Sequence, residues 1–472
     1  MDAIVGFLNT IFWGYILIYG LLAVGVYFTV SLGFIQFRHF GEMIRTVMKS
    51  PETDEAGISP FQALTVSLAS RVGTGNLAGV AVALSLGGPG AIFWMWMVAL
   101  VGMATAYAES SLAQLYKTRG AHGHYRGGPA FYISKGMNMP WLGAVFSVCL
   151  IISFGLVFNA VQANSIATAV EGAFGIPPLV VGLALAALTG VVIFGGIKKI
   201  AQVAEIVVPF MAAAYLLLAI VIIVINITAV PGALWQIVGS AFGLTEAVGG
   251  VTGGVMAALL NGVKRGLFSN EAGMGSAPNI AAVAVPVPHH PSSQGFVQAL
   301  GVFIDTLLIC TATALMIILS GALDPTAGVQ GTDLTQAALA EHIGTAGRYF
   351  IAIAIFFFAF TSIIGNYSYS ENAMVFLGMG NTQGFTALRV LVLIMVVWGA
   401  MQAVATVFNT ADASMGMMAT INLIAIVTMS GTIAKLTKDY LSQRAEGKEP
   451  MFHAADYPEL GDGIDHTIWS RD

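Results

Sequence analysis

An arginine and two glycines interrupt the apolar run that extends from about Phe61 to Leu86. Gly73 and Gly75 each cost about 1 kcal/mol of helix propensity relative to alanine. Arg71 costs roughly 2.5 to 3.5 kcal/mol at bilayer depth, even on the mildest scale. Non-helical backbone at that depth is tolerated only where it is buried in protein or lines a water-filled cavity. The run therefore predicts a broken helix in the interior of a helical bundle.

The same pattern occurs a second time in the chain. The stretches Arg71–Gly79 and Arg265–Gly273 share the spacing R-x4-N-x-A-G, and both lie inside long apolar segments. Glycine-interrupted segments in corresponding positions of two halves indicate the binding site of a secondary transporter. Chance is the alternative, because Gly, Ala and Asn are common in membrane helices. A buried arginine in both copies favours a repeat.

Composition defines the class of protein. Of the 472 residues, 57% are hydrophobic and only 9% are charged, whereas soluble domains carry about 25% charged residues. This predicts an all-α polytopic membrane protein surrounded by membrane lipids. Nucleic-acid binding is not expected, because no basic, aromatic-interleaved face occurs. The signatures H-E-x-x-H, G-x-x-x-x-G-K-[ST] and G-x-S-x-G are absent, so the sequence predicts neither an enzyme nor an organic cofactor.

A membrane span needs about 20 apolar residues, and on that rule the sequence predicts eleven spans. They are roughly 10–32, 60–86, 91–116, 140–170, 178–197, 203–229, 252–280, 295–320, 348–377, 386–408 and 411–435.

Lysine and arginine predict the orientation, since they are enriched in cytoplasmic loops. If the N-terminus lies outside, the inward loops hold ten of the nineteen basic residues and the C-terminal tail holds five more, fifteen in all. We therefore predict a multi-pass protein of the plasma (inner) membrane with its N-terminus outside and its C-terminus in the cytoplasm.

The two marked stretches fall in spans two and seven. Because an offset of five spans is odd, the second copy enters the membrane with the opposite polarity, which predicts a 5+5 inverted repeat of the leucine-transporter type. The predicted organisation is a single transporter domain, 1–438, with an extra first helix (10–32), repeat one (60–229) and repeat two (252–435). We expect the polar tail, 439–472, to be cytoplasmic and poorly ordered, and His289 and His290 of a proline-rich inward loop to be solvated.

A broken helix offers two kinds of binding group. Its downstream half begins with free N–H groups and a partial positive charge, which suit a carboxylate, and Gly73, Thr74 and Gly75 supply such groups. Its upstream half ends in free carbonyls, which suit Na⁺ or an ammonium group. In span seven the equivalent place is occupied by Phe268, Ser269 and Asn270. The alternative is that the glycines only permit close helix packing.

Further polar residues lie inside predicted spans. Asn159 and Gln162 share a helix face and would either bind a ligand or join two helices. Thr361 and Ser362 could complete an oxygen cage for Na⁺ with carbonyls of span two, or could simply bond their own helix. The buried charges need partners, and we expect four of the acids, Glu109, Glu271, Asp305 and Glu371, to pack near the three bases, some of them in structural ion pairs. These charges are Arg71, Glu109, Glu205, Lys264, Arg265, Glu271, Asp305 and Glu371.

Four stretches resemble the alanine or glycine:cation symporter family. They are Ser67–Asn76, Gly127–Tyr132, Phe158–Asn164 and Phe268–Gly275, and the resemblance covers nearly the whole chain up to about Lys438. It implies a leucine-transporter-like fold of eleven spans and Na⁺-coupled uptake of alanine or glycine, with H⁺ in some members.

Carried over by position, the resemblance implies a substrate site and a Na⁺ site. Gly73, Thr74 and Gly75 would hold the substrate carboxylate next to Asn76, with Gln162, Phe268, Ser269 and Asn270 bordering the substrate. The Na⁺ ion would take the carbonyls of Ala69 and Val72 with the hydroxyls of Thr361 and Ser362. An H⁺-coupled symporter, an uncoupled channel or binding protein, and a membrane enzyme without a candidate nucleophile are the alternatives. The sequence leaves the oligomeric state open.

Overall fold

The computed structural model describes residues 2–49, 56–120, 123–244, 251–324, 331–461 and 463–470. Within these ranges the regular secondary structure is helical apart from one two-stranded antiparallel hairpin, β1 (Thr118–Arg119) and β2 (Tyr125–Arg126), and one isolated parallel bridge between Ile58 and Ala284. The prediction of an all-α polytopic membrane protein is confirmed at this level.

The helices of the described chain follow in order. They are α1 (Ala3–Ser31), α2 (Ile35–Arg38), α3 (Phe40–Met48), α4 (Pro60–Arg71), α5 (Gly75–Gly87), α6 (Gly90–Leu115), α7 (Pro129–Gly136), α8 (Pro140–Phe174), α9 (Pro178–Ile193), α10 (Gly196–Ile225), α11 (Val230–Ala241), α12 (Val251–Asn270), α13 (Pro278–Val283), α14 (Ser292–Ser320), α15 (Thr332–Ile343), α16 (Ala346–Phe376), α17 (Thr382–Ala400), α18 (Val404–Thr428) and α19 (Ser430–Ala445). Short 3₁₀ turns follow at Ala454–Asp456 and Pro458–Leu460.

Among the described residues, eight helices are long and apolar enough to cross a membrane: α1, α6, α8, α10, α14, α16, α17 and α18. Two shorter apolar helices, α5 and α9, correspond to further predicted spans. Helix α10 shows the expected lipid-facing surface, since Ile206, Phe210 and Leu217 are exposed. The total of eleven spans and the full repeat remain predictions.

The two broken helices, α4–α5 and α12–α13, lie side by side and run in opposite directions. At one end Val285 N donates to Ile58 O, 2.9 Å away, just before α4 begins and just after α13 ends. At the other end a Cβ on Gly87 of α5 would lie 3.0 Å from Ala257 O in α12. This antiparallel arrangement is what an inverted repeat requires of its first helices.

Glycines let the central helices approach closely. A Cβ on Gly295 of α14 would lie 2.8 Å from Tyr107 O of α6, and a Cβ on Gly90 would lie 2.6 Å from Ala241 N. Contacts this short leave no room for a side chain, as is common where membrane helices pack through small residues.

Four π-helical stretches interrupt these helices: Phe12–Ile16, Gly75–Gly79, Ile151–Val157 and Phe303–Cys310. π-helical stretches are rare in proteins, and those that occur are often found at functional sites. The second and the fourth lie against each other at the centre of the bundle.

The polar tail is packed against the bundle, contrary to our expectation of poor order. Phe452 and Trp469 are fully buried, and Trp469 Nε1 donates to Leu115 O at 3.2 Å. The expectation of solvated histidines is also wrong for His290, which is fully buried and lies 3.1 Å from Asp439 Oδ2. The apolar side chains of the tail account for both corrections, because they cover the proline-rich loop.

Candidate functional site

The first broken helix opens where its glycines are. Helix α4 ends at Arg71, and Val72 and Gly73 are non-helical before α5 begins. Gly73 N donates to Asn76 Oδ1 and Thr74 N donates to Gln162 Oε1, both at 2.9 Å. Side-chain oxygens thus occupy two of the N–H groups that a helix start leaves free.

The second broken helix opens later than we expected. Phe268, Ser269 and Asn270 form the last turn of α12 instead of the unwound segment. The break covers 271–277, where Glu271, Gly273 and Gly275 have φ values of 60°, 84° and 82°. The glycines that accept this left-handed backbone follow the asparagine in this copy, which explains the shift.

Most of the predicted substrate residues lie where the first broken helix passes the second, near Gly75 and Ser269, and we call this place the crossing. A Cβ on Gly75 would lie 3.0 Å from Ser269 Cα, and the Phe268 ring stacks on Phe158 with centroids 4.6 Å apart. A Cβ on Gly73 would collide with Ser362 Oγ and lie 2.8 Å from Gln162 Oε1.

The two asparagines of the repeated pattern lie beside this crossing, and their side chains have different hydrogen-bond partners. Asn76 Nδ2 donates to Asp305 Oδ1 at 2.7 Å, whereas Asn270 Oδ1 accepts from Ala272 N. Asn270 Nδ2 is buried without a partner in the described structure. Equivalent sequence positions therefore have different contacts.

Residues of α16 line the end of α4, where the Na⁺ site was predicted. Thr361 Oγ1 and Ser362 Oγ both donate to Phe358 O, at 2.9 and 3.0 Å. A Cβ on Gly365 would lie 3.1 Å from Ser70 N, so the two backbones are close. Because each hydroxyl uses its proton within its own helix, its oxygen lone pairs are available to a cation.

Buried acids hold the second break and connect it to the first. Glu271 accepts from Ser70 Oγ at 2.7 Å and from Ser276 Oγ at 2.5 Å. Glu109 accepts from Gly273 N at 3.1 Å and from Asn422 Nδ2 at 2.7 Å.

Among the described residues none of the four acids forms an ion pair with the three bases, so that part of the expectation is wrong. The expected proximity is confirmed for Arg71, which acts through space on Glu109, Glu271 and Asp305. Arg265 pairs with Asp412, which also lies 3.7 Å from Lys264 Nζ. Glu371 pairs at 3.3 Å with Arg126 of the β-hairpin. Arg71 Nη1 donates to Gln298 O at 3.2 Å. The acids that surround the breaks are held mainly by neutral donors.

Sequence reasoning missed two residues that organise the site. Asp412 is the partner of both basic residues of α12, and a lone acid near the start of the last predicted span was its signal. Asn366 links Asn159 to Ser70, since its Nδ2 donates at 3.0 Å to Asn159 Oδ1 and its Oδ1 lies 2.6 Å from Ser70 Oγ. Its position in a cluster of polar residues in span nine gave only a weak signal.

Comparison of the sequence with known proteins places the chain in a family. The model of the sodium:alanine symporter family matches residues 1–454. The chain is 50% identical over 448 residues to the amino-acid carrier protein AlsT of Bacillus subtilis (strain 168), covering 95% of this chain and 94% of the relative. It is 47% identical to the probable sodium/glutamine symporter GlnT and 42% identical to the putative sodium/proton-dependent alanine carrier protein YrbD of the same organism. These alignments cover 96% of this chain in both cases, with 93% of GlnT and 95% of YrbD.

The family and these relatives are transporters, so the prediction of a carrier and not an enzyme is confirmed. Together with the apolar helices they support a multi-pass membrane protein. The match over almost the entire chain shows that the protein belongs to the sodium:alanine symporter family.

Proposed function

We propose that the protein is a secondary active symporter that couples Na⁺ influx to uptake of a small neutral amino acid, alanine or glycine, by alternating access. The observation that carries this proposal is the crossing of two antiparallel broken helices, with the N–H groups of Gly73 and Thr74 beside Gln162. The family supports sodium-coupled transport of an amino acid in general.

The substrate carboxylate binds at the start of α5. It accepts hydrogen bonds from the N–H groups of Gly73 and Thr74 and replaces the side-chain oxygens of Asn76 and Gln162, which accept these bonds in this structure. A helix start favours an anion there. Phe268 and Ser269 close the opposite side against Gly75. The small space between these groups favours a small side chain.

Na⁺ binds between the carbonyls of Ala69 and Val72 and the hydroxyls of Thr361 and Ser362. The close approach of α4 and α16 supports this site. With the N-terminus outside and the C-terminus in the cytoplasm, each inward Na⁺ gains about 2.3 kcal/mol from a potential of −100 mV, in addition to its concentration gradient. That energy suffices for a tens-fold accumulation of a neutral zwitterion.

Proton coupling is a second candidate, favoured by the name of the relative YrbD, which gives both sodium and proton. In this alternative a buried acid near the breaks, such as Glu271, carries the proton.

The test is uptake of labelled alanine by purified protein in liposomes, with an inward Na⁺ gradient against a K⁺ control at fixed pH. We expect accumulation above equilibrium only with Na⁺, and competition by glycine. Uptake driven by a pH gradient alone would support proton coupling instead. Because GlnT is named for glutamine, glutamine serves as the competing substrate, and stronger competition by glutamine than by glycine would contradict the proposed preference.

Gly75→Leu tests the location of the site. A Cβ on Gly75 would already lie 3.0 Å from Ser269 Cα and 3.2 Å from Phe268 Cδ1, so a leucine side chain fills the crossing. We expect alanine binding to be abolished while the protein stays monodisperse. Unchanged affinity in a monodisperse variant would show that the substrate binds elsewhere.

A further inference from the structure

Asp305 is a buried acid that the proposed transport mechanism does not use. It lies in the π-helical stretch Phe303–Cys310 of α14 and is fully buried. Its Oδ1 accepts from Asn76 Nδ2 at 2.7 Å, and its Oδ2 accepts from Ser269 Oγ at 2.8 Å. Asn76 and Ser269 both belong to the proposed substrate site, one from each broken helix. Asp305 therefore adjoins that site from a third helix.

The contacts of Asp305 leave its charge without a direct counter-charge. Thr306 Oγ1 also donates to Oδ2, at 2.7 Å, so the three side-chain donors are all neutral. None of the ion pairs among the described residues involves Asp305. Arg71 acts on it through space but donates its hydrogen bond to the Gln298 carbonyl. A buried carboxylate without a cationic partner is unfavourable, so a positive group at this position would stabilise it.

The carboxylate of Asp305 has one acceptor position that none of these three side-chain donors fills. An ionised carboxylate has about four acceptor positions, and Asn76, Ser269 and Thr306 fill three of them. The fourth belongs to Oδ1, the oxygen that faces Asn76.

The side chain of Asn76 shows what fits between the helix start and Asp305. Its Oδ1 accepts from Gly73 N at 2.9 Å, and its Nδ2 donates to Asp305 Oδ1 at 2.7 Å. One small group thus presents an acceptor to the backbone N–H and a donor to the acid. An α-amino acid presents the same two functions in the same order, with its carboxylate as the acceptor and its ammonium as the donor.

We propose that Asp305 receives the α-ammonium group of the substrate and makes the carrier selective for amino acids over carboxylic acids that lack an amine. This inference rests on the proposed function, since it places the substrate carboxylate at Gly73 and Thr74. The ion pair completes the fourth acceptor position and compensates the buried charge. A hydroxy acid of the same size offers only a neutral hydroxyl to Asp305.

The test compares the wild type with Asp305→Asn, a neutral substitution of the same shape, and with Asp333→Asn on the exposed surface of α15 as the matched control. Labelled alanine is displaced from purified protein by L-alanine and by L-lactate. Stabilisation by NaCl alone is measured as the shift in Tm. We expect alanine to bind the Asp305→Asn variant roughly 10- to 150-fold more weakly, the range for a hydrogen bond to a charged group. Lactate affinity and the Na⁺-induced Tm shift should change little, and the control should match the wild type.

Three results would overturn the inference. An unchanged ratio of alanine to lactate affinity would show that Asp305 does not contact the ammonium. Loss of the Na⁺-induced Tm shift with the ratio preserved would make Asp305 a Na⁺ ligand instead. If Asp305→Asn does not give monodisperse protein, Asp305→Glu keeps the charge and displaces it by one methylene, and wild-type alanine affinity in that variant would equally contradict the inference. Failure of the wild type to bind alanine would instead contradict the proposed function.

Discussion

The two broken helices carry the same sequence pattern but break at different positions in it. In the first copy the backbone leaves the helix after Arg71, before Asn76. In the second copy the helix continues through Asn270, and the break begins at Glu271. The difference follows from where the glycines are: Gly73 and Gly75 precede the asparagine in one copy, and Gly273 and Gly275 follow it in the other. A repeated motif therefore marks the region of a break, while the local glycines decide its position.

The two arginines of the pattern differ as much as the breaks. Arg265 forms an ion pair with Asp412, whereas Arg71 donates to a backbone carbonyl. Two nitrogens of each guanidinium group are unpartnered in the described structure. The residue after the asparagine also differs. It is Leu77 in the first copy and Glu271 in the second, where the acid joins Ser70 to Ser276. The first copy thus supplies backbone N–H groups that side-chain oxygens cap, and the second copy supplies most of the charge.

The largest expected contrast is between Gly73→Ala and Gly266→Ala, the glycines nearest the arginine in each copy. A methyl group on Gly73 would collide with Ser362 Oγ and crowd Gln162, so we expect alanine uptake in liposomes to be lost. On Gly266 the nearest atom would be Met95 Cα at 3.4 Å, an ordinary contact. We expect that variant to transport, with an unfolding free energy equal to or slightly above that of the wild type because alanine favours the helix. Similar losses in both variants would mean that the first break has no special role.

Asp412→Asn tests the ion pair that the arginine of the second copy forms and the arginine of the first copy lacks. The change leaves the buried Arg265 and the partly buried Lys264 without their partner, and breaking a buried pair from one side typically costs about 3 to 5 kcal/mol. We expect the free energy of unfolding in detergent to fall by about that amount. Glu341→Gln on the exposed surface of α15 is the control and should have no measurable effect.

The double variant Arg265→Gln/Asp412→Asn sharpens this test. Since it removes a charge of each sign, it should regain part of the lost stability. If the single variant is as stable as the wild type, the pair contributes nothing, and the contrast between the two arginines has no energetic meaning.

What could be predicted from the sequence was local, and what could not was long-range. The position of the first break followed from Gly73 and Gly75, because helix propensity depends on the residues themselves. The partner of Arg265 lies 147 positions away in α18, and only the packing of the two helices brings Asp412 to it.

The tail shows a different reason for a wrong expectation. Its overall polarity suggested poor order, but Phe452, Ile464, Ile468 and Trp469 are all buried. These few apolar side chains were the signal for docking, and an average over the segment concealed them. The partners of Glu271 and Glu109 were missed similarly, because we expected bases where the fold provides hydroxyls, amides and a backbone N–H.

Glu271→Gln is expected to have an intermediate effect. It replaces a carboxylate that accepts from Ser70 and Ser276 by an amide with only one acceptor oxygen. Hydrogen bonds to a charged group contribute about 1.5 to 3 kcal/mol, so we expect a loss of stability within that range, measured by unfolding in detergent. Leu77→Met, the conservative change at the corresponding position of the first copy, is the control. Equal effects of the two substitutions would show that the acid contributes nothing beyond packing.

The smallest effect concerns the loop that follows the second broken helix, which the tail covers. His290 Nδ1 accepts from Ser292 N at 3.0 Å, so its proton lies on Nε2 and is donated to Asp439. Burial lowers the pKa of His290 below 6.5 despite Asp439, and burial with Lys117 nearby lowers the pKa of His289 to about 4. Burial opposes the charge of Asp439, but hydrogen bonds led by that from His290 keep its pKa below its usual value, so this acid stays ionised above pH 5.

The sign of the pH effect follows from these directions. A histidine with a lowered pKa binds fewer protons when folded than when unfolded, so its contribution to stability is present above about pH 6.5 and is lost as the pH falls. Between pH 7.5 and 5.5 each of the two histidines should account for a loss of up to about 1.4 kcal/mol. His290→Gln should reduce the pH-dependent loss of stability by the part that His290 contributes. His466→Gln, at an exposed position, should leave that loss unchanged. Two results would contradict this expectation: a wild-type Tm that is constant over this pH range, or a loss of stability that is the same in His290→Gln as in the wild type. Either result would mean that the loop binds protons while the tail stays docked, so that docking does not require a neutral His290.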